Sequence, residues 1–263
     1  MSLPFPFEID DGVGLLTLNR PRTLNSLTFE VYGALEGLLR DAPRDDRYRA
    51  LVVTGAGRGF CSGGDVHEII GELLKRDMKE VLRFTRLTGE VVKGLRQCDK
   101  PVIAAVNGLA AGAGAVIALA CDLRVCAESA GFSFLFSKVG LTGADMGAGS
   151  LLPPVVGMGR AAELLLLGDE IDAATAERYG LANKVVPDGE VVDAALAWAR
   201  RLAKGPALAL SMTKRMLQNE RTMDLAAAIE AEAQAQALLL MGKDHRAFYD
   251  AFREKREPEF SGE

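Results

Sequence analysis

Histidine is nearly missing from this 263-residue chain: His67 and His245 are the only two. That scarcity removes Ser-His-Asp and Cys-His machinery, since both need an imidazole beside the nucleophile. The four cysteines, Cys61, Cys98, Cys121 and Cys126, form no CxxC pair and have too few histidines beside them to complete a zinc set. They read as reduced, mostly buried thiols, and no metal is expected. No apolar run reaches the ~18–20 residues that span a bilayer. The start, MSLPFPFEID, lacks the basic and apolar regions of a secretory leader. No Gly-Lys-[Ser/Thr] is present, which excludes a P-loop. A formal net charge of −5 argues against nucleic acid or an anionic membrane as a partner, since both usually want a basic face. These absences leave a cytoplasmic protein of small-molecule chemistry as the expectation, with neither nucleic acid nor membrane as a partner.

What is present can build a large core. The segment 7–18 predicts a hairpin turning at Asp10-Asp11-Gly12. Thr28 is placed to cap a helix that carries Val31, Leu35, Leu38 and Leu39 on one face. ALVVTG at 50–55 and PVIAAVNG at 101–108 read as buried strands, and 65–97 between them reads as amphipathic helix. A small-residue segment at 109–120 precedes a third strand near 123–126 and a Phe-rich strand near 132–136. Strands alternating with helices predict an α/β core. Beyond Gly189 the pattern changes to four helical stretches, broken at Gly205-Pro206, near Asn219–Thr222 and at Gly242. The stretch 223–241, rich in Ala, Leu, Glu and Gln, suits packing against another subunit. The expected division is therefore 1–190 for the core and 191–263 for a helical region, with a mobile tail, EPEFSGE.

Two glycine-rich segments, 55–65 and 108–115, each follow a buried strand. Each has a plain structural reading: a tight loop whose Asp65 caps the next helix, and a close helix–strand contact. Small residues also let a ligand approach the backbone, and a helix that starts there points free N–H groups outward. Two such turns can aim two donors at one oxygen, as enolate formation from a thioester requires. Gly112-Ala113-Gly114 imitates a dinucleotide fingerprint, but Ile117 stands at its third glycine and the acidic residue further on is missing.

A series of motifs resembles the enoyl-CoA hydratase/isomerase (crotonase) family over roughly residues 7–257. They are Leu18-Asn19-Arg20-Pro21, Leu24-Asn25-Ser26-Leu27, the run from Gly57 to Asp65, and the run from Lys100 to Gly108. Further along come Ala120-Cys121-Asp122, Val139-Gly140-Leu141, the run from Leu152 to Gly157, the run from Ala176 to Val185, and the run from Phe252 to Arg256. The resemblance implies a crotonase-like spiral of ββα units, with a C-terminal helical region that assembles homotrimers or homohexamers. It implies an acyl-CoA thioester as substrate, with coenzyme A part of that substrate and no separate cofactor. Carried over by position, the oxyanion donors would be the backbone N–H groups of Ser62 and Ala113. Leu24, Asn25, Ser26, Leu27, Gly63, Gly64, Asp65 and Gly112 would line the CoA path. Lys255 would reach a CoA phosphate from a neighbouring subunit.

The chain departs from a hydratase at one place. Water addition in the family uses two glutamates, and their positions here hold Val116 and Phe136. Asp145 remains, in a loop where some family isomerases carry their acid, and it also reads as a cap for a helix over 146–156. One carboxylate suffices to move a proton between two carbons, so double-bond isomerisation is the expected chemistry. A hydratase with a rearranged acid/base pair and a non-catalytic CoA-ester binder are the alternatives. Glu68 and His67 rank lower as proton carriers.

Overall fold

The structure, a computed structural model, describes residues 3–262. Asp11 and Gly12 both hold positive φ, 45° and 72°, a turn whose twist matches the antiparallel hairpin of β1 (Phe7–Asp10) and β2 (Val13–Leu18). Thr28 Oγ accepts the Val31 N–H at 3.2 Å and opens the Phe29–Asp41 helix, which buries Val31, Tyr32, Leu35 and Leu39.

From there the chain visits two sheets in turn. β3 (Ala50–Gly55), β5 (Val102–Val106), β7 (Leu123–Ala127) and β10 (Lys184–Val186) extend the hairpin into a six-stranded sheet, ordered β1-β2-β3-β5-β7-β10 and parallel from β2 onward. β4 (Gly59–Cys61), β6 (Leu109–Ala111), β8 (Gly131–Ser133) and β9 (Ile171–Asp172) form a smaller sheet in that order. A strand of each sheet and then helical structure recur three times: β3–β4 with Met78–Gln97, β5–β6 with Ala113–Ala120, and β7–β8 with the helices up to Leu167. This is the ββα spiral. Every residue of β3 and of β5 is buried, which explains why both read as continuous apolar runs rather than alternating ones.

Three elements differ from the sequence reading. The helix expected over 65–97 is broken: Asp65 caps a π-helical turn, Val66–Ile70, and Asp77 caps a new helix, Met78–Gln97, by accepting the Glu80 N–H at 2.9 Å. Both pieces are amphipathic, so periodicity runs across the break. β4 and β6 lie hidden in the glycine-rich segments, three residues each, too short to show a period of two. The Phe-rich strand ends at Ser133, and Phe136 sits instead in a 3-10 turn, Leu135–Val139.

Past residue 190, four helices follow: Val191–Ala203, Ala207–Asn219, Leu225–Leu240 and Lys243–Glu254. The first packs on β2, β3, β5 and β7 and so covers a face of the main sheet. The second is tied to the core through Lys214, whose buried ammonium donates to the carbonyls of Leu95 and Lys100, both at 2.9 Å, and meets Asp122 Oδ2 at 2.8 Å. The tail expected to be mobile is held. Arg49 donates to the carbonyls of Phe260 and Ser261, and Asp244 accepts the N–H groups of Ser261 and Gly262. Glu263 lies outside the described residues. Among them, no helix is long and apolar enough to cross a membrane.

Lys214→Met will keep the volume but take a buried donor from two carbonyls and leave Asp122 to the Val102 N–H and Arg96 alone. Urea unfolding should show a loss of about 3–5 kcal/mol, the cost of breaking a buried ion pair from one side.

Candidate active site

The site begins at a contact that only glycine permits. A Cβ on Gly114 would fall 2.1 Å from the Cys61 carbonyl oxygen, so the Ala113–Ala120 helix can start against the end of β4 only because that atom is missing. The neighbouring turns then touch: a Cβ on Gly63 would lie 3.1 Å from the Ala111 oxygen and 3.5 Å from the Ala113 nitrogen. Gly63 holds φ at 94° and Gly112 at 52°, a region that side chains with a Cβ rarely adopt.

Backbone bookkeeping identifies the free donors. The Ser62 N–H, expected at the oxyanion position, donates to the Leu24 carbonyl at 2.9 Å and is spent there. The Gly63 N–H faces the Cys61 sulfur. One residue further on, the Gly64 N–H has no acceptor among the described residues. Its flanking groups are pinned to Leu27, through Leu27 N to Gly63 O at 2.8 Å and Asp65 N to Leu27 O at 2.9 Å. Ala113 is the first residue of its helix, and its N–H has no intrahelical partner. The pair of unspent donors beside the glycine contact is therefore Gly64 and Ala113. Motif position points to Ser62 but does not reveal that its N–H is taken by Leu24.

The residues expected along the CoA path divide into two sets. Asn25 and Asp65 are buried and fully engaged. Asn25 Oδ1 accepts the Arg20 N–H, and its amide donates to the carbonyls of Ala56 and Gly59. Asp65 accepts from Ser26 Oγ at 2.8 Å, Arg20 at 3.0 Å, and the N–H groups of His67 at 3.0 Å and Glu68 at 3.1 Å. The Glu68 N–H does most to hold the Asp65 carboxyl at about 2, with Ser26, His67 and Arg20 adding to it against the cost of burial. Ser26 and Leu27 are buried as well. These four side chains hold the loop's shape rather than face a ligand. Leu24, Gly64 and the backbone of Gly63 and Gly112 remain at the contact. Lys255 caps the last helix in left-handed conformation, and its exposed side chain forms no ion pair among the described residues.

The wall is apolar. Phe136 lies over the Gly112 turn, where a Cβ would meet its ring at 3.9 Å. Val116 is wholly enclosed, so it backs the wall rather than bordering open space. Asp145 does not cap a helix: the next one, Ala148–Leu151, has Gly147 at its cap with no side-chain bond. Burial raises the Asp145 carboxyl above the usual aspartate range, and only the Met146 N–H opposes this. Met146 itself is buried, at φ 49°. The Cys61 thiol, pushed up to about 12 by burial, stays protonated. Glu68 is drawn off to Arg20 at 2.7 Å, and the exposed His67 contributes only its backbone. No group of three or more His, Cys, Asp or Glu among the described residues could hold a metal ion.

A pair of unspent backbone donors at one contact suits the stabilisation of a thioester enolate, and the comparisons with known proteins point to the same class. The family model for enoyl-CoA hydratase/isomerase matches residues 8–263. The chain belongs to that family and is an acyl-CoA enzyme. It is 39% identical to the 1,2-epoxyphenylacetyl-CoA isomerase of Escherichia coli K12 over 255 residues, covering 97% of each chain. It is 34% identical to the 2,3-dehydroadipyl-CoA hydratase of the same strain, covering 94% of each. Among solved structures, a candidate enoyl-CoA hydratase from Streptomyces coelicolor A3(2) superposes with a TM-score of 0.96 at 54% identity, covering 98% of this chain and 94% of that one.

The Asp65 network makes a testable claim about acid stability. Asp65 titrates near 2 when folded and near 3.9 when unfolded, so its contribution is full above pH ~4 and lost as pH falls toward 2. Asp65→Ala should cost about 2–4 kcal/mol at pH 7, a lost cap plus a broken, partly buried ion pair. In urea melts that deficit should shrink between pH 5 and pH 2.5.

Proposed function

We propose that this enzyme moves a proton along the acyl group of a CoA thioester, isomerising a double bond, with Asp145 as its base. Asp145 takes a proton from carbon, and the electron pair delocalises onto the thioester oxygen. The N–H groups of Gly64 and Ala113 hold that oxygen. The resulting carboxylic acid returns the proton to a different carbon, and the carboxylate is restored. The observation that carries the reading is a half-buried carboxylate, Asp145, in a chain whose two family glutamate positions hold the buried apolar side chains of Val116 and Phe136. Water addition needs a second carboxylate, and the two next to the Gly64 turn, Asp65 and Glu68, are both paired with Arg20. A relative named as an isomerase supports the choice, while the relatives named as hydratases keep water addition as the reading to test against.

Each oxyanion donor supplies roughly 3–4 kcal/mol in comparable sites, and a positioned base a factor of about 10²–10⁴. Asp145→Asn should therefore lower isomerisation of 3-enoyl-CoA by about 10²–10⁴ with affinity for the thioester unchanged. Wild-type kcat/KM should rise with pH through a single ionisation above the normal aspartate range, because the base must be ionised. The stability sign is opposite. A carboxyl whose folded pKa is raised stabilises fully below its unfolded pKa and loses that contribution as pH rises through the folded one. Asp145→Asn should thus melt slightly higher than wild type at pH 7 and no higher at pH 3. Unchanged turnover in this variant would return the site to water chemistry or to plain CoA-ester binding.

We further propose a homotrimer or homohexamer built on the C-terminal helices. Leu225, Leu238, Leu240, Met241 and Phe252 are all more than half exposed, a concentration of apolar surface that water disfavours. A cleft of about 360 Å³ between Leu208, Leu239, Leu240 and Phe248 lies in the same region. In such an assembly Lys255 is the residue we assign to a CoA phosphate of a neighbouring copy. Sedimentation at micromolar concentration should give three or six times the 28.1 kDa chain mass, and a monomer would end this proposal.

A further inference from the structure

The Ala113–Ala120 helix, whose first N–H is one of the two unspent donors, has no polar side chain: it is built of Ala, Gly, Val, Ile and Leu, all buried. Its front end is set by the glycine contact with Cys61 and by the Gly112 N–H on the Ser133 carbonyl at 2.8 Å. Its far end leaves carbonyls that lack intrahelical donors. Arg124, on β7 and 5% exposed, takes them up. Its Nη1 donates to the carbonyls of Cys121 at 2.6 Å, Leu119 at 3.3 Å and Ala118 at 3.4 Å, while Nε is fixed on the Leu181 carbonyl at 2.6 Å. No carboxylate pairs with this cation among the described residues. Asp122 offers it a carbonyl at 3.4 Å and commits its own carboxylate to Lys214, Arg96 and the Val102 N–H. Burial works against the charge, lowering the pKa from the ordinary arginine value. Neutral amide donors would satisfy the same carbonyls without that cost, so the charge itself needs a use.

We propose that Arg124 is a positioning residue of the oxyanion site, gripping the Ala113–Ala120 helix by its carbonyl end and adding a positive potential at the Ala113 N–H. This rests on the reading above that Gly64 and Ala113 hold the thioester oxygen. A helix is positive at its N–H end and negative at its carbonyl end, and a cation at the carbonyl end cancels the negative pole alone. The positive pole at Ala113 is then left unopposed. The rise of the helix puts the guanidinium roughly 12 Å from that N–H. At the effective dielectric of protein interiors, a unit charge at about that distance stabilises a full negative charge by roughly tenfold. The charge grows on the oxygen only as the proton leaves carbon, so the gain falls on kcat and leaves thioester binding nearly untouched. Asn183 is the point at which this field can be switched. Its Oδ1 accepts the Arg124 backbone N–H at 2.8 Å and a guanidinium N–H at 3.4 Å.

Asn183→Asp sets an anion against the guanidinium and keeps the Oδ1 contacts, so it offsets the field while adding an ion pair. Infrared difference spectra of the full-length protein read the thioester carbonyl directly, using hexanoyl-CoA with carbon-13 at that carbonyl, an ester that undergoes no isomerisation. Binding to wild type should lower the stretching frequency. In Asn183→Asp and in Arg124→Gln the frequency should move back toward that of the free ester. In both variants kcat for 3-enoyl-CoA should fall about threefold to tenfold, with KM within about twofold of wild type. Asn183→Asp should melt at or above the wild-type temperature, which separates the effect from a loss of fold, and it carries the test if Arg124→Gln does not fold. A bound carbonyl shifted equally in wild type and Asn183→Asp, or an unchanged kcat, overturns the proposal and leaves the oxyanion reading standing. A carbonyl unmoved by binding to wild type overturns the oxyanion reading, and the proposal with it.

Discussion

The packing of a helix start against a strand end, with only a glycine hydrogen between Gly114 and the Cys61 carbonyl, is the constraint on which the rest depends. It brings β4 and the Ala113–Ala120 helix together from different turns of the spiral. The two visits to the smaller sheet, each three residues long, exist to deliver those chain ends to one place. Helix-start N–H groups are unsatisfied by construction, and a strand that ends in glycines leaves others free. The donors are therefore a by-product of closing the fold, and no side chain has to be recruited for them. The same economy explains why a chain with two histidines can hold an active site.

Much of the fold was legible because its large elements carry strong periodicity. The hairpin, the Thr28 cap, the two buried strands and the four C-terminal helices all follow from pattern and from turn residues. β4 and β6 were not legible, since three residues among glycines have no period to read. The break at Asp77 was masked by apolar stripes continuing on both sides of it. The candidate site was half legible. Motif position offers Ala113 and Asp145 as candidates, whereas preferring Gly64 to Ser62 requires knowing that the Leu24 carbonyl takes the Ser62 N–H at 2.9 Å.

Polar groups inside this core serve two separate ends. Lys214, Asp122, Asn25 and Asp65 are saturated with partners and act as fasteners, each joining segments distant in sequence. Asp145 is half-buried and accepts only the neighbouring Met146 N–H. Burial raises its pKa, which in the proposed mechanism makes the carboxylate a stronger base. A reader looking for chemistry in such a fold does better to look for unmet valence than for charge.

In the proposed mechanism, the bridge between Leu27 and Gly64 makes the 20–27 loop a mechanical part of catalysis. Gly64 is held in place through the groups on either side of it, and Leu27 is in turn set by a loop that Asn25, Ser26 and Arg20 lock to Asp65. A displacement of a few tenths of an ångström in that loop passes directly to the donor that must meet a developing negative charge. Sequence drift at positions that never touch substrate can thus tune the barrier height while leaving ground-state binding alone. The loop behaves as an adjusting screw for the oxyanion site, set from the side of the molecule away from the reacting carbons.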